Sequence, residues 1–374
     1  MKPTSEADLA EAIASAKGPL CIQGGGSRAG LGGPVTGEVL ETGGLTGITL
    51  YEPGALTLVA QAGTPLSEVE ATLDAENQML PFEPPLWNQV FGTGTGSTIG
   101  GVVATNASGP RRLQAGACRD SLIGVRFVDG KGTVLKNGGR VMKNVTGYDL
   151  VKLMSGSHGT LGVLTEVAFK VLPKPERTAT VLLEGLDGPQ AVAAMSAAMS
   201  SPYDVTGAGH NPQLGQTGLR LEGFEKAVAY RAGELAKLLS EFGTAEIVYD
   251  PKPFKALVEP GSIAAGDGDV WRISVKPSDG PDTVAQLNPT AHLMDWAGGL
   301  IWARVPQGTD VRHALDGRGG HATLMTADAQ TKARLGVFHP EPAPLARISA
   351  GLRAKFDPRG ILNPGRMAPA QGVA

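Results

Sequence analysis

The sequence predicts an α+β fold in which a two-part first domain is followed by an α/β domain and a returning C-terminal segment. The chain has 374 residues, its glycines cluster in a few stretches, and helical and strand patterns are mixed along it. This length exceeds that of one ordinary hydrophobic core, so two domains, or one large domain with an insertion, are expected. The expected divisions are a first domain over 1–175 (split into about 1–52 and 53–175), a cap domain over 176–335 and a C-terminal segment over 336–374.

The first elements follow from caps and apolar spacing. Residues 4–17 are predicted to form a helix, because Ser5 provides an N-cap and Leu9 and Ile13 repeat at helical spacing. A Gly-Pro pair ends this helix, and the apolar stretch Leu20–Gln23 is predicted as a strand.

The later elements are indicated by turn residues. Thr64 followed by Pro65 is typical of an N-cap with proline at the first helical position. Asp129-Gly130 between LIGVRFV and TVLK indicates a β-hairpin. Further helices are expected near 188–201, 224–242 and 346–356, and further strands near 217–221, 245–249 and 270–275.

Composition narrows the classes of ligand. With 33 basic and 36 acidic residues, the chain offers no basic face of the kind that binds nucleic acid. Cys21 and Cys118 are the only cysteines, which excludes an all-cysteine iron–sulfur or zinc site. The N-terminus lacks a secretory signal and no apolar window reaches the ~18 residues of a membrane span. A cytoplasmic protein is expected, and any contact with the inner membrane is expected to be peripheral or through partners.

The glycine-rich stretch at 24–34, GGGSRAGLGGP, follows the first strand and resembles a dinucleotide fingerprint, with Gly24, Gly26 and Ala29 in the GxGxxA positions. A Rossmann unit needs a helix after this motif, and the glycines and proline up to Pro34 exclude one. The loop can instead present backbone N–H groups to a pyrophosphate, or be a turn that binds nothing. Two further stretches of this kind, at 92–109 and 156–166, favour a ligand.

These stretches resemble the FAD-binding fold of vanillyl-alcohol oxidase, p-cresol methylhydroxylase and the D-2-hydroxyacid dehydrogenases. Within that family the chain is similar to the smaller FAD-binding subunits of bacterial glycolate oxidases, also called glycolate dehydrogenases. The similarity covers about the first 175 residues and the last 30. The motifs that carry it are IQGGGSRAGLGG at 22–33, STIGGVVATNASG at 97–109, KNVTGYDLVKLMSGSHGTLGVLTE at 143–166 and FDPRGILNPGR at 356–366.

The resemblance implies that FAD lies in the crease between the two subdomains. The first loop would hold its pyrophosphate, the second would line the isoalloxazine side, the third would complete the contacts, and the C-terminal segment would approach the ring. The residues implied are Gly24, Gly25, Gly26, Ser27 and Gly30; Thr98, Gly100, Gly101, Thr105 and Asn106; Gly159, Thr160, Gly162 and Val163; and Asn363.

The mode of attachment follows from the same comparison. Some family members link flavin through a histidine in or near the first loop, where this chain has Ser27 and Arg28. Non-covalent FAD is therefore expected. Cys118 is an alternative attachment residue or a packed thiol, and free cysteines more often pack.

The catalytic residues are less clear from the sequence. Related dehydrogenases carry a metal motif resembling His-x-Gly-Asp-Gly-Asn-x-His in the cap, whereas this chain has GGHATLMTA around His321, so no metal site is expected. His321 as a base and Arg304 as a carboxylate ligand are candidates. Tyr148 and Lys143, near the expected cofactor, are candidates for either a flavin-site or a packing role.

Three functions remain open at this point. The first is an FAD-binding subunit that takes part in oxidising glycolate to glyoxylate, with electrons leaving through a larger flavin subunit and an iron–sulfur subunit. The second is a self-sufficient FAD-dependent D-2-hydroxyacid dehydrogenase. The third is a non-catalytic assembly subunit that retains the fold, against which the intact glycine stretches argue.

Overall fold

The computed structural model describes residues 1–94, 96–139 and 147–367. Its first part combines short strands with short helices. The strands are β1 (Leu20–Gln23), β2 (Glu38–Glu41), β3 (Ile48–Glu52), β4 (Thr57–Gln61), β5 (Gln78–Met79), β6 (Leu122–Val128), β7 (Val134–Gly138), β8 (Val163–Lys170) and β9 (Leu172–Pro173). The helices are α1 (Glu6–Ser15), α2 (Leu66–Ala75), α3 (Asn88–Phe91), α4 (Ile99–Ala104), α5 (Arg112–Ala115), α6 (Cys118–Ser121) and α7 (Leu150–Met154).

Helix α1 begins where its cap predicts. The Ser5 hydroxyl accepts a hydrogen bond from the Asp8 amide at 3.1 Å, and the Asp8 carboxylate accepts one from the Ser5 amide at 3.1 Å. This capping box satisfies two N–H groups that the helix itself cannot pair. Leu9 and Ile13 on the inner face are fully buried.

Three sheets make up the first part, and the smallest is the antiparallel pair of β5 and β9. Strands β1 and β2 pair in parallel, joined by a connection without a helix. Strands β3, β4, β8, β6 and β7 form a five-stranded sheet in that order. The β6–β7 hairpin is confirmed: the Asp129 carboxylate accepts hydrogen bonds from the amides of Lys131 and Thr133 and closes the turn.

Two local predictions are corrected by the fold. Thr64 does not cap α2, which begins at Leu66 after Pro65, because the Thr64 hydroxyl donates to the carbonyls of Gln61 and Gly47. Strand β3 pairs with β4 in the five-stranded sheet, so the sheets change between β2 and β3 and not at residue 52.

The second part is one large sheet backed by helices. Its strands are β10 (Arg177–Glu184), β11 (Val205–Asn211), β12 (Gln216–Gly223), β13 (Glu246–Val248), β14 (Asp269–Ser274), β15 (Ala291–Asp295), β16 (Leu300–Val305) and β17 (His321–Thr326). Its helices are α8 (Gly188–Met199), α9 (Glu225–Leu238), α10 (Lys252–Val258), α11 (Gly261–Ala264), α12 (Gly280–Leu287) and α13 (Ala329–Leu335), and α14 (Ala343–Phe356) follows.

The order of this sheet is β13-β10-β12-β11-β15-β16-β14-β17, and all pairings among its described strands are antiparallel. Because side chains alternate along strands, the sheet has two distinct faces. One face, with Trp271 and Ile301, packs in a core with α8 and α9. The other, with Leu293 and Trp302, packs in the core of the first part, so it faces the first domain. The predicted α+β class is confirmed.

The C-terminal segment returns to the first part after α14. Leu362 forms a parallel bridge with Leu20 of β1, and the Leu20 amide donates to the Ile361 carbonyl. The Arg359 guanidinium donates to the carbonyls of Ile13 and Gly130. The segment therefore completes the edge of the small β1–β2 sheet.

Candidate cofactor site

A cleft of about 920 Å³ lies where the first loop, helix α4, the 157–164 segment and the C-terminal segment converge. Of the predicted cofactor residues, twelve line it and three do not. The lining ones are Gly24, Gly25, Gly26, Ser27, Thr98, Gly100, Gly101, Thr105, Gly159, Gly162, Val163 and Asn363.

The first loop follows β1 and lies against the second glycine stretch. A Cβ at Gly25 would stand 1.9 Å from the Gly96 carbonyl oxygen, and one at Gly24 would stand 2.5 Å from the Thr98 hydroxyl oxygen. Only glycine permits this approach. Within the described part of the chain, no hydrogen bond occupies the amides of Gly25, Gly26 or Ser27. Three neighbouring N–H groups at a cleft are a suitable cradle for a phosphate group.

Helix α4 begins at the same cleft. Thr98 caps it, since the Thr98 hydroxyl accepts from the Gly101 amide at 3.3 Å. A Cβ at Gly100 would stand 2.6 Å from the Ala62 carbonyl oxygen, so glycine lets the helix lie directly on the end of β4. The backbone at the start of α4 thereby forms one wall of the cleft.

Asn363 ties two walls together. Its Oδ1 accepts from the Ile22 amide and its Nδ2 donates to the His158 carbonyl, both at 2.8 Å. His158 and Asn363 both have positive φ, 51° and 45°. The Asn363 amide therefore holds β1 against the 157–164 segment, and its polar atoms are engaged by the protein.

The three predicted residues outside the cleft lining have structural contacts instead. The Gly30 carbonyl accepts from the Lys332 ammonium at 2.7 Å. Asn106 Oδ1 accepts from the Arg119 amide at 3.1 Å. The Thr160 hydroxyl donates to the Ser157 carbonyl at 2.7 Å.

Charged residues at the cleft were not singled out by the sequence. Arg28, Arg366 and His158 all line it. Burial lowers the pKa of Arg28 to about 10, and burial followed by the nearby Arg366 lowers the pKa of His158 to about 4. His158 is therefore neutral at pH 7, while the two arginines supply the positive charge. The sequence signal that could have identified Arg28 is its position directly after the glycines of the first loop.

This cleft fits FAD. Unoccupied amides in the first loop suit the pyrophosphate, two arginines suit its charge, and the apolar wall beyond α4 suits an aromatic ring. Cys118 is fully buried in the core, and burial raises the pKa of its thiol. A thiol in this state is a poor nucleophile, which favours the packed thiol over an attachment residue.

The catalytic candidates are scattered. Tyr148 is 89% exposed, and Lys143 lies outside the described residues. His321 begins β17 opposite Ser274, whereas Arg304 pairs with Val270, four residues or about 13 Å away along β14. The Arg304 Nε donates to the Thr290 hydroxyl at 3.3 Å. The register thus separates His321 from Arg304 and does not favour their sharing one small acid.

A second cavity, of about 2100 Å³, lies between the first domain and the cap sheet. Arg220 on β12 donates to both carboxylate oxygens of Glu83 at 2.8 and 2.9 Å, and Arg111 donates to Glu222 at 2.8 Å. Asp295 at the end of β15 is buried in the same wall, and burial raises its pKa to about 7. These ionisable groups were not identified from the sequence, because the packing of the cap sheet on the loops of the first domain brings them together.

No group of three or more histidine, cysteine, aspartate or glutamate side chains among the described residues is arranged to hold a metal ion. None of the helices in that part of the chain is long and apolar enough to cross a bilayer.

Comparison with known proteins agrees with the geometry. A family model described as FAD binding domain matches residues 1–138. Glycolate oxidase subunit GlcE of Escherichia coli is 39% identical over 357 residues, which cover 94% of this chain and 93% of that protein. Glycolate oxidase subunit GlcD of Bacillus subtilis is 32% identical over 53% of this chain and 43% of its own length.

A solved alkyldihydroxyacetonephosphate synthase superposes with a TM-score of 0.68 at 17% identity, over 97% of this chain and 76% of that one. This likeness extends the shared fold to the cap sheet. Because the match to the GlcE subunit spans nearly the whole of both chains, and because an FAD-binding domain model matches the part that contains the first loop and α4, the chain belongs to the GlcE family of FAD-binding oxidoreductases.

Proposed function

We propose that the chain is the FAD-binding subunit of a glycolate oxidase or dehydrogenase and takes part in oxidising glycolate, a 2-hydroxy acid, to glyoxylate. The observation that carries the proposal is the extent of the match to the GlcE subunit, which includes the cap as well as the cofactor domain. The match to the GlcD subunit covers about half of this chain. The similarity to GlcE is thus a similarity of the whole architecture.

The residues of the cleft would hold FAD without a covalent bond. The amides of Gly25, Gly26 and Ser27 would bind the pyrophosphate, with Arg28 and Arg366 beside them. When bound, FAD would supply the acceptor for the hydride of an alcohol oxidation, which carries both electrons. The chain itself would orient the cofactor through the α4 wall.

Electrons must leave after each oxidation. Reduced flavin must pass its two electrons to an acceptor before the next turnover. We propose a complex with a larger FAD-binding subunit and an iron–sulfur subunit, in the cytoplasm and at the periphery of the inner membrane. The names of the two similar proteins, each a subunit of glycolate oxidase, support a multi-subunit assembly.

The decisive measurement is an absorbance spectrum of the purified chain between about 300 and 550 nm, repeated anaerobically with glycolate. The proposal expects a yellow protein that does not bleach alone and bleaches when the two partners are added. Acid denaturation should release all the flavin into solution. Bleaching of the chain alone would instead establish a self-sufficient dehydrogenase. A colourless chain that does not bind added FAD would refute the cofactor assignment.

A further inference from the structure

Helix α14 lies between the cap and the C-terminal motif at 356–366, and it is poorly packed against the rest of the chain. None of its fourteen residues is buried. The side chain of Leu345 is 54% exposed and that of Ile348 is 61% exposed. Isolated helices shorter than about 15 residues are marginal in water, so most helices in proteins bury one apolar face. The exposed side chains of α14 therefore mark a surface that another molecule would cover.

The larger apolar side chains of α14 form one stripe. They fall at positions i, i+3, i+7 and i+11, which share one face of a helix, and they are Leu345, Ile348, Leu352 and Phe356. Leu352 and Phe356 pack against the core of the first domain, where the Phe356 ring centre lies 6.1 Å from that of Phe127. The stripe is thus covered at its C-terminal half and open at its N-terminal half.

The charges of α14 all have one sign. The helix contains Arg347, Arg353 and Lys355 and no acidic residue, although the whole chain has a formal net charge of −3. Within the described residues, none of these three cations forms an ion pair. At 3.6 residues per turn, Arg353 and Lys355 fall on opposite sides of the stripe. A basic rim beside an apolar stripe suits a partner face that is apolar at its centre and acidic at its edge.

Both ends of α14 are close to the cofactor cleft. Before the helix, the Phe338 ring centre lies 4.8 Å from that of His158, a cleft residue. After the helix, Asn363 and Arg366 line the same cleft. Leu345 follows Phe338 by seven residues, which span at most about 25 Å even when fully extended. A partner on the open half of the stripe would therefore lie near the cleft, where the proposed function requires an electron acceptor.

We propose that the open half of the α14 stripe docks the iron–sulfur subunit, in an apolar groove of that subunit with an acidic rim. This inference rests on the proposed function and names the surface on which the complex assembles. Leu345 and Ile348 enter the groove, as in other complexes in which an amphipathic helix lies in an apolar groove. The cations beside the stripe meet the acidic rim, which fixes the orientation of the partner.

Two other occupants suit this surface less well. A second copy of the chain would bring two basic helices together, and like charges repel. Helices that bind a membrane surface carry a broad apolar face with aromatic anchors, whereas the large apolar side chains that α14 exposes are Leu345 and Ile348. The narrow stripe and the unpaired cations therefore favour an acidic protein.

The test uses the full-length, FAD-loaded chain and the purified iron–sulfur and larger flavin subunits of its complex. Binding of each subunit is measured by isothermal titration calorimetry at low and at high salt. Leu345→Ser combined with Ile348→Ser should weaken binding of the iron–sulfur subunit about tenfold or more, because apolar area is lost from the contact. Arg353→Glu combined with Lys355→Glu should weaken it about tenfold at low salt and less at high salt, because salt screens exposed charges.

The matched controls lie on α9, a helix of the same length in the cap. Tyr230→Ser removes an exposed apolar side chain and Lys226→Glu reverses an exposed charge. Both variants should bind the iron–sulfur subunit as tightly as the wild type does. Flavin absorbance and thermal unfolding of each variant verify that it is folded and loaded.

The outcomes separate this inference from the proposed function. If glycolate bleaches the flavin in the presence of both partners and both α14 double variants bind the iron–sulfur subunit with unchanged affinity, the docking surface is overturned and the proposed function stands. The surface is also overturned if the Leu345→Ser, Ile348→Ser variant instead loses binding to the larger flavin subunit, to phosphatidylglycerol vesicles or to a second copy in sedimentation. A wild-type chain that takes up no FAD, or that never bleaches with both partners, would refute the proposed function itself.

Discussion

Replacement of Glu83 by glutamine should loosen the cap from the first domain. The Glu83 carboxylate accepts two hydrogen bonds from Arg220 and one from the Arg111 amide. The Arg220 side chain is 7% exposed and that of Glu83 is 30% exposed. Removing one partner of a buried pair costs about 3–5 kcal/mol, because the other charge stays buried. The partial exposure of Glu83 and the remaining Glu222 contact reduce the expected loss to about 2–3 kcal/mol.

The assay is urea unfolding at pH 7, followed by circular dichroism. The matched control is Glu225→Gln, whose carboxylate forms an exposed ion pair with Arg177 and should change the free energy of unfolding by about 0.5 kcal/mol or less. A double variant, Glu83→Gln with Arg220→Met, should be less destabilised than the sum of the single changes by about 1 kcal/mol or more. Equal effects of Glu83→Gln and the control, or strict additivity, would refute the reasoning.

Three further predictions follow from the site. Gly25→Ala should weaken FAD binding at least tenfold in a fluorescence titration, because its Cβ meets the Gly96 carbonyl, whereas Gly43→Ala enters open space and should not; equal affinities would contradict this. The pKa of Asp295 is raised to about 7 in the folded chain, so between about pH 4 and 7 the unfolded chain loses this proton and the folded chain keeps it. The free energy of unfolding of the wild type should therefore fall as pH rises through this range, by at most about 4 kcal/mol. Asp295→Asn should flatten that dependence in unfolding experiments from pH 4 to 8, and an unchanged slope would exclude the assignment. Cys118→Ala should retain a full complement of acid-releasable flavin, so loss of yellow colour in a folded variant would support a covalent link.

The sequence predicted an element correctly where the interactions that form it join residues close together along the chain. The Ser5 cap and the Asp129-Gly130 hairpin depend on hydrogen bonds over a few residues, and both are confirmed. The Thr64 cap is wrong because a distant backbone, that of Gly47, competes for the same hydroxyl. Propensity rules do not include such a competitor.

The candidate site divides in the same way. The clustered glycines can be recognised in the sequence, because such clusters usually occur where the backbone closely approaches a ligand or another segment of backbone. The approach of Arg220 on β12 to Glu83 of the first domain depends on sheet order and on the docking of two domains, which no spacing along the chain encodes. His321 is a candidate from the sequence because histidine is a common base and lies in the stretch compared with the metal motif. Its nearness to Arg272 depends on the register of β17 with β14.

The contacts of Asn363 have a consequence for biosynthesis. Ile22 and His158 are held by an amide that lies 341 and 205 residues away along the chain. While the polypeptide is being translated, the cap is completed before this amide leaves the ribosome. The two walls of the cleft therefore acquire this link only after the whole cap has been synthesised.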